Sequence, residues 1–232
     1  MGRAISWRGT GRRSDMERTP TRRKMLALLA ASGLVAAAPA RAADCRIAVL
    51  GDSLAAGYGL PPAAAFPARL EAALRARGFP CAVLDAGVSG DTSAGGAARV
   101  GWVLADRPSH LLVELGGNDA LRALPPEQLE ANLERIVAAA RTAGVPVMIA
   151  GMLAPTNLGP EYGAAFAAAY RRVVDRHDLA FYPFFLDGLV GRPELFQADG
   201  IHPNAAGVAV IVEGILPTVE AWLVATGVSP GS

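Results

Sequence analysis

Four short polar blocks interrupt a largely apolar chain, and together they hold the parts needed for acyl transfer. They are Gly51-Asp52-Ser53-Leu54, Gly87-Val88-Ser89-Gly90-Asp91-Thr92, Gly116-Gly117-Asn118-Asp119 and Asp199-Gly200-Ile201-His202-Pro203-Asn204. A serine hydroxyl is a weak nucleophile until a neighbouring base takes its proton. His202 is a candidate base. Asp199, three residues earlier, is near enough to accept from the imidazole Nδ1–H and leave Nε2 facing Ser53. Attack on an ester or thioester carbonyl creates an oxyanion that needs N–H donors fixed beforehand. The backbone N–H groups of Ser53 and Gly90 and the side-chain amide of Asn118 lie on three different blocks and can surround it.

Residues so far apart in sequence can act together only if the fold ends its elements at one place. Five runs rich in β-branched or aliphatic residues, at 46–51, 82–86, 110–115, 145–151 and 180–184, predict strands. Between them, 66–77, 94–107, 126–143 and 162–177 predict helices, and 205–225 predicts a last helix that Pro217 should kink. Alternating strands and helices mean α/β with a parallel sheet, and unbroken apolar strands mean that both sheet faces are covered. Three of the polar blocks follow the first three strands, and the fourth precedes the last helix. In such sheets the working groups sit beyond the carboxyl ends of the strands.

Simpler roles compete for these residues. Ser53 alone could be a helix cap, Asp199 a turn residue and His202 a helix-start residue beside Pro203. His110 stands before a strand and so at the opposite sheet edge, and His177 ends a surface helix beside Arg176 and Asp178, where solvation is expected. Asp52, Asp91 and Asp119 read as loop-bracing acceptors. Nothing in the spacing demands a metal, and no cofactor is expected: no Cys/His cluster, G-x-G-x-x-G or G-x-x-x-x-G-K-[ST] occurs, nor the G-x-S-x-G elbow of α/β-hydrolases.

The four blocks, in this order and spacing, resemble those of the SGNH (GDSL) hydrolase family, and within it the bacterial arylesterase, thioesterase and lysophospholipase group. The likeness spans nearly all of residues 43–232. It implies a three-layer α/β/α, flavodoxin-like sandwich with five parallel strands. It also implies Ser53 as nucleophile, Asp199 and His202 completing a triad, and Ser53, Gly90 and Asn118 as the oxyanion hole. The family's mobile loop corresponds to 120–125, so Leu121 and Leu124, with Leu153 and Pro155, are expected to bind the acyl chain. The implied partners are small acyl esters, thioesters or lysophospholipids. Two alternatives remain at this point: a carbohydrate O-acetyl esterase on the same triad, and a non-enzymatic exported lipid-binding protein.

Charge and cysteines speak to location. Residues 1–42 carry nine Arg and Lys against two Asp and Glu, whereas 43–232 carry thirteen against nineteen. An acidic body argues against nucleic acid as a partner. The basic flank, the uncharged stretch Met25 to Ala38 and Ala40-Arg41-Ala42 read as a signal peptide removed after Ala42. That stretch is too short to span a bilayer, which takes about 20 residues. Thr21-Arg22-Arg23-Lys24 resembles a twin-arginine signal. The expectation is one domain over 43–232, a monomer in the periplasm or outside the cell. Cys45 and Cys81 each open a strand run eight residues before Ser53 and Ser89. In-register neighbouring strands would bring the two sulfurs together as a disulfide.

Overall fold

The computed structural model describes residues 45–231. The expected signal peptide lies outside the described residues. Five parallel strands, β1 (Cys45–Gly51), β2 (Cys81–Gly87), β3 (His110–Glu114), β4 (Val147–Ala150) and β5 (Ala180–Tyr182), form one sheet in the order β2-β1-β3-β4-β5. This is the flavodoxin-like order, whose chain reversal falls between β1 and β3. β1, β3 and β4 are buried almost throughout, while the edge strands β2 and β5 are partly open.

Among the described residues there are six α-helices: α1 (Phe66–Ala76), α2 (Ser93–Ala105), α3 (Gly117–Leu121), α4 (Pro126–Thr142), α5 (Pro160–His177) and α6 (Ala205–Ala225). α1 packs with α6, and α4 packs with both α2 and α5, giving the two outer layers. Each sequence-predicted strand and helix is present. β4 and β5 are shorter than the apolar runs because Pro146 and Pro183, which lack an N–H, flank them. α3 falls inside a segment expected to be loop. α6 continues through Pro217 without interruption. It is long and apolar enough to cross a membrane by length and composition, yet Ile211, Ile215, Val219 and Leu223 on one face are buried in this fold.

Cys45 and Cys81 are register partners at the starts of β1 and β2 and are joined by a disulfide, with a Cα–Cα distance of 4.4 Å. At the same end, His110 is buried between the Ser109 and Thr226 hydroxyls, each 2.8 Å from a ring nitrogen. Burial lowers its pKa. His177 departs from the expected solvated role: its Nε2 is 2.6 Å from Glu134 Oε2, and its Nδ1 is 2.9 Å from the Arg141 guanidinium. Both histidines are occupied structurally, far from the polar blocks in the fold.

Candidate active site

Gly51 is the register partner of Gly87 on one side and of Glu114 on the other. Three loops therefore leave the sheet at one level, and Ser53, Gly90 and Asn118 follow within four residues. Arg99 of α2 locks this rim. Its guanidinium donates to Gly51 O (2.8 Å), Ala86 O (2.7 Å) and Asp91 Oδ2 (2.6 Å). The turn after β1 is so tight that a Cβ on Gly51 would come within 2.5 Å of Ala55 Cβ and 2.7 Å of Glu114 Oε2.

Ser53, 9% exposed, sits in that turn. Its Oγ lies 2.9 Å from His202 Nε2, and His202 Nδ1 lies 2.7 Å from Asp199 Oδ2. Asp199 Oδ1 accepts the backbone N–H groups of His202 (3.0 Å) and Ile201 (2.9 Å). The backbone N–H and imidazole of His202, with the Ile201 N–H, hold the Asp199 carboxyl down at about 2. The His202 loop ends at Asn204, which caps α6 by accepting from the Ala206 and Gly207 N–H groups, while its amide donates to Glu194 O and Phe196 O.

Asp52 and Asp119 brace the site, as the sequence suggests. Asp52 Oδ1 accepts the Leu54 N–H (2.9 Å), and Oδ2 accepts one hydrogen of the Asn118 amide (3.0 Å). Burial pushes the Asp52 carboxyl up to about 6, against the opposing pull of those two donors. Asp119 accepts the Ser93 N–H (2.8 Å) and its hydroxyl, joining α3 to the start of α2. Beneath them lies Glu114, fully buried at the end of β3, with Oε2 accepting the Asp52 N–H (3.3 Å) and Oε1 unpartnered. Burial and the neighbouring Asp52 charge push its pKa well up. Sequence reasoning missed Glu114, although a single carboxylate inside the run 110–115 was the available signal.

The backbone N–H groups of Ser53 and Gly90 have no hydrogen-bond partner among the described residues, and the second Asn118 amide hydrogen is likewise uncommitted. Gly90 holds φ +82°, a conformation that favours glycine, and its carbonyl accepts from Arg122 (2.9 Å). Beside Ser53 and His202 opens a cavity of about 480 Å³, lined also by Asn118, Leu121, Met152, Leu153, Pro155, Phe196 and Ile201. Leu124 and Gly90 are not among its lining residues. The Leu124 backbone is held in the loop, its N–H donating to Asp119 O (2.9 Å) and its carbonyl accepting the Tyr162 hydroxyl (2.8 Å). Larger hollows occur at the opposite end of the sheet, one of about 610 Å³ beside His177 and Trp222 and one of about 500 Å³ beside Ser109, His110 and Thr226; in the second the imidazole is held between the two hydroxyls with no carboxylate partner among the described residues. No group of three or more His, Cys, Asp or Glu side chains suited to a metal occurs among the described residues.

Residues 49–210 match the model of the GDSL-like lipase/acylhydrolase family. The chain is 40% identical to esterase TesA of Pseudomonas aeruginosa over 184 residues, covering 79% of this chain and 92% of that protein. It is 39% identical over 166 residues to the thioesterase 1/protease 1/lysophospholipase L1 of Escherichia coli, covering 71% and 78% of the two chains. Among solved structures, a crystal structure of TesA superposes with a TM-score of 0.73 at 40% identity, covering 77% of this chain and 99% of that one.

Proposed function

The chain belongs to the GDSL-like lipase/acylhydrolase family and is an esterase of that family, and from this premise we propose that it is an exported serine hydrolase of acyl esters, acyl thioesters and lysophospholipids. The observation that supports the reading best is the chain of contacts from Asp199 through His202 to Ser53, 2.7 and 2.9 Å, at the mouth of an apolar cavity.

In this reading Ser53 Oγ attacks the acyl carbon while its proton passes to His202 Nε2. Asp199 keeps the imidazole in the tautomer that presents Nε2 as acceptor and stabilises the imidazolium that forms. The oxyanion is received by the uncommitted N–H groups of Ser53, Gly90 and Asn118. Collapse of the intermediate expels the alcohol or thiol, which takes the proton from His202. Water, activated by the same imidazole, then frees the acid and regenerates Ser53. Leu121, Leu153 and Pro155 border the space into which the acyl chain extends. Leu124 contributes by shaping the loop 120–125 rather than by contact. Export rests on the basic and apolar leader over 1–42 and on the Cys45–Cys81 disulfide, which needs an oxidising compartment to persist.

The test compares purified protein with Ser53→Ala on p-nitrophenyl butyrate and octanoate. The variant is expected to lose at least about 10³-fold in kcat, as when a nucleophile is removed from a working triad. Equal rates would remove Ser53 from the mechanism.

A further inference from the structure

His202 stands on no strand. Its loop lies between a short 3₁₀ turn (Pro193–Leu195) and α6, whereas Ser53 is fixed by the end of β1. Something must hold these two loops in register, because catalysis needs Ser53 Oγ and His202 Nε2 at hydrogen-bond distance.

The hydrogen bonds between segments 52–61 and 196–204 are few among the described residues. Apart from the Ser53–His202 bond, one hydrogen bond joins them among the described residues: the Gln197 side-chain amide donates to Tyr58 O at 2.7 Å. The same amide donates its other hydrogen to Pro203 O (3.0 Å), next to His202. The Gln197 backbone closes the His202 loop from inside, with its N–H donating to His202 O (2.8 Å) and its carbonyl accepting the Gly200 N–H (3.0 Å). A Cβ at Gly59 would come within 2.3 Å of Gln197 Oε1, so the serine-side loop is shaped to admit this amide. The Tyr58 ring then lies against the imidazole, centroid to centroid 4.4 Å with the planes tilted by 35°. It remains 52% exposed. Tyr58 is not among the residues lining the acyl cavity, so an acyl-binding role does not explain its placement.

We propose that Gln197 and Tyr58 are positioning residues that clamp the His202 imidazole onto Ser53, Gln197 by bridging the carbonyls of the two loops and Tyr58 by covering one imidazole face. The inference rests on His202 being the base. The Gln197 primary amide offers one N–H to each of the two carbonyls without bringing a charge beside the imidazole. The aromatic face favours the imidazolium that appears as Ser53 gives up its proton.

The experiment measures kcat and KM on p-nitrophenyl butyrate, and the rate of covalent inactivation by a fluorophosphonate, for Gln197→Met, Tyr58→Ala and Tyr58→Phe beside Ser53→Ala, well below each melting temperature. Gln197→Met is expected to lower kcat and the inactivation rate together by about 10²-fold with KM little changed, the scale of an ångström-sized misplacement. Tyr58→Ala is expected to lower kcat about 2–5-fold, and Tyr58→Phe, which keeps the ring, to recover it. A purely structural role would lower the melting temperature and leave kcat and inactivation unmoved. The clamp is overturned if Gln197→Met keeps the parent kcat. It is also overturned if Tyr58→Phe is as slow as Tyr58→Ala, a comparison that stands even if Gln197→Met does not fold. Retained activity in Ser53→Ala would instead overturn the catalytic reading itself.

Discussion

Asp52→Asn should make the protein more stable and much slower. The Asp52 carboxyl is 2% exposed, and burial raises it from 3.8 to about 6. Each unit of such a shift is worth about 1.4 kcal/mol, so holding the ionised form at pH 8 costs the fold about 3 kcal/mol. The sign follows from the raised value: stability from this group is complete below about pH 3.8 and is lost as pH rises through about 6. Asparagine has no such loss. Urea unfolding should therefore find Asp52→Asn more stable than the parent at pH 8 by up to about 3 kcal/mol and equal to it near pH 3.5. The rate should move the other way. Asparagine at 52 can still accept the Leu54 N–H with its oxygen, but it then turns an NH₂ toward Asn118, where Asp52 Oδ2 accepts at 3.0 Å. Two NH₂ groups cannot face each other, so the Asn118 amide must flip and withdraw the hydrogen that the proposed mechanism offers to the oxyanion. Losing one such donor costs about 10²–10³-fold in kcat. For the same reason parent activity should fall as pH drops through about 6, where Asp52 protonates. Kinetics on p-nitrophenyl butyrate at pH 8 decide the matter. A variant that turns over within about threefold of the parent, far short of a lost oxyanion donor, refutes the orienting role of Asp52. One that is less stable at pH 8 refutes the burial argument.

Two further perturbations test the frame around the site. Replacing Cys45 and Cys81 by Ser removes a bridge between residues 36 apart, and chain entropy puts the loss at about 3–4 kcal/mol. Urea unfolding of the double variant checks this, and an unchanged midpoint would contradict it. Glu114→Gln keeps the shape and the accepting oxygen of a fully buried carboxyl whose pKa burial pushes well up, so kcat should stay within about threefold of the parent. Its stability should also decline less as pH rises, because the group whose raised pKa loses stability toward alkaline pH is gone. A loss of tenfold or more in kcat would mean that Glu114 must carry charge.

What the sequence reveals and what it conceals divide along the range of the interaction. Strand runs such as 110–115 and helices such as Ala205–Ala225 are legible because burial on a sheet face or helix stripe repeats within a few residues. The level ends of β1, β2 and β3 follow from parallel pairing of those runs, which is why Ser53, Asn118 and the Cys45–Cys81 pair could be placed in advance. α3 was not legible, since Gly117-Asn118-Asp119-Ala120-Leu121 is too short for periodicity and its first three residues favour turns. Leu124 shows a different limit: apolar character does not say whether a loop residue lines the cavity, and Leu124 is not among the lining residues while its backbone is held by Asp119 and Tyr162. Tyr58 and Gln197 show the strongest limit. They meet across 139 residues through a main-chain carbonyl, an acceptor that every residue type possesses. The residues of the proposed triad declare themselves because their chemistry restricts their identity. The groups proposed to aim them make their contacts through backbone and ring faces, leave no motif, and emerge only when the loops are seen side by side.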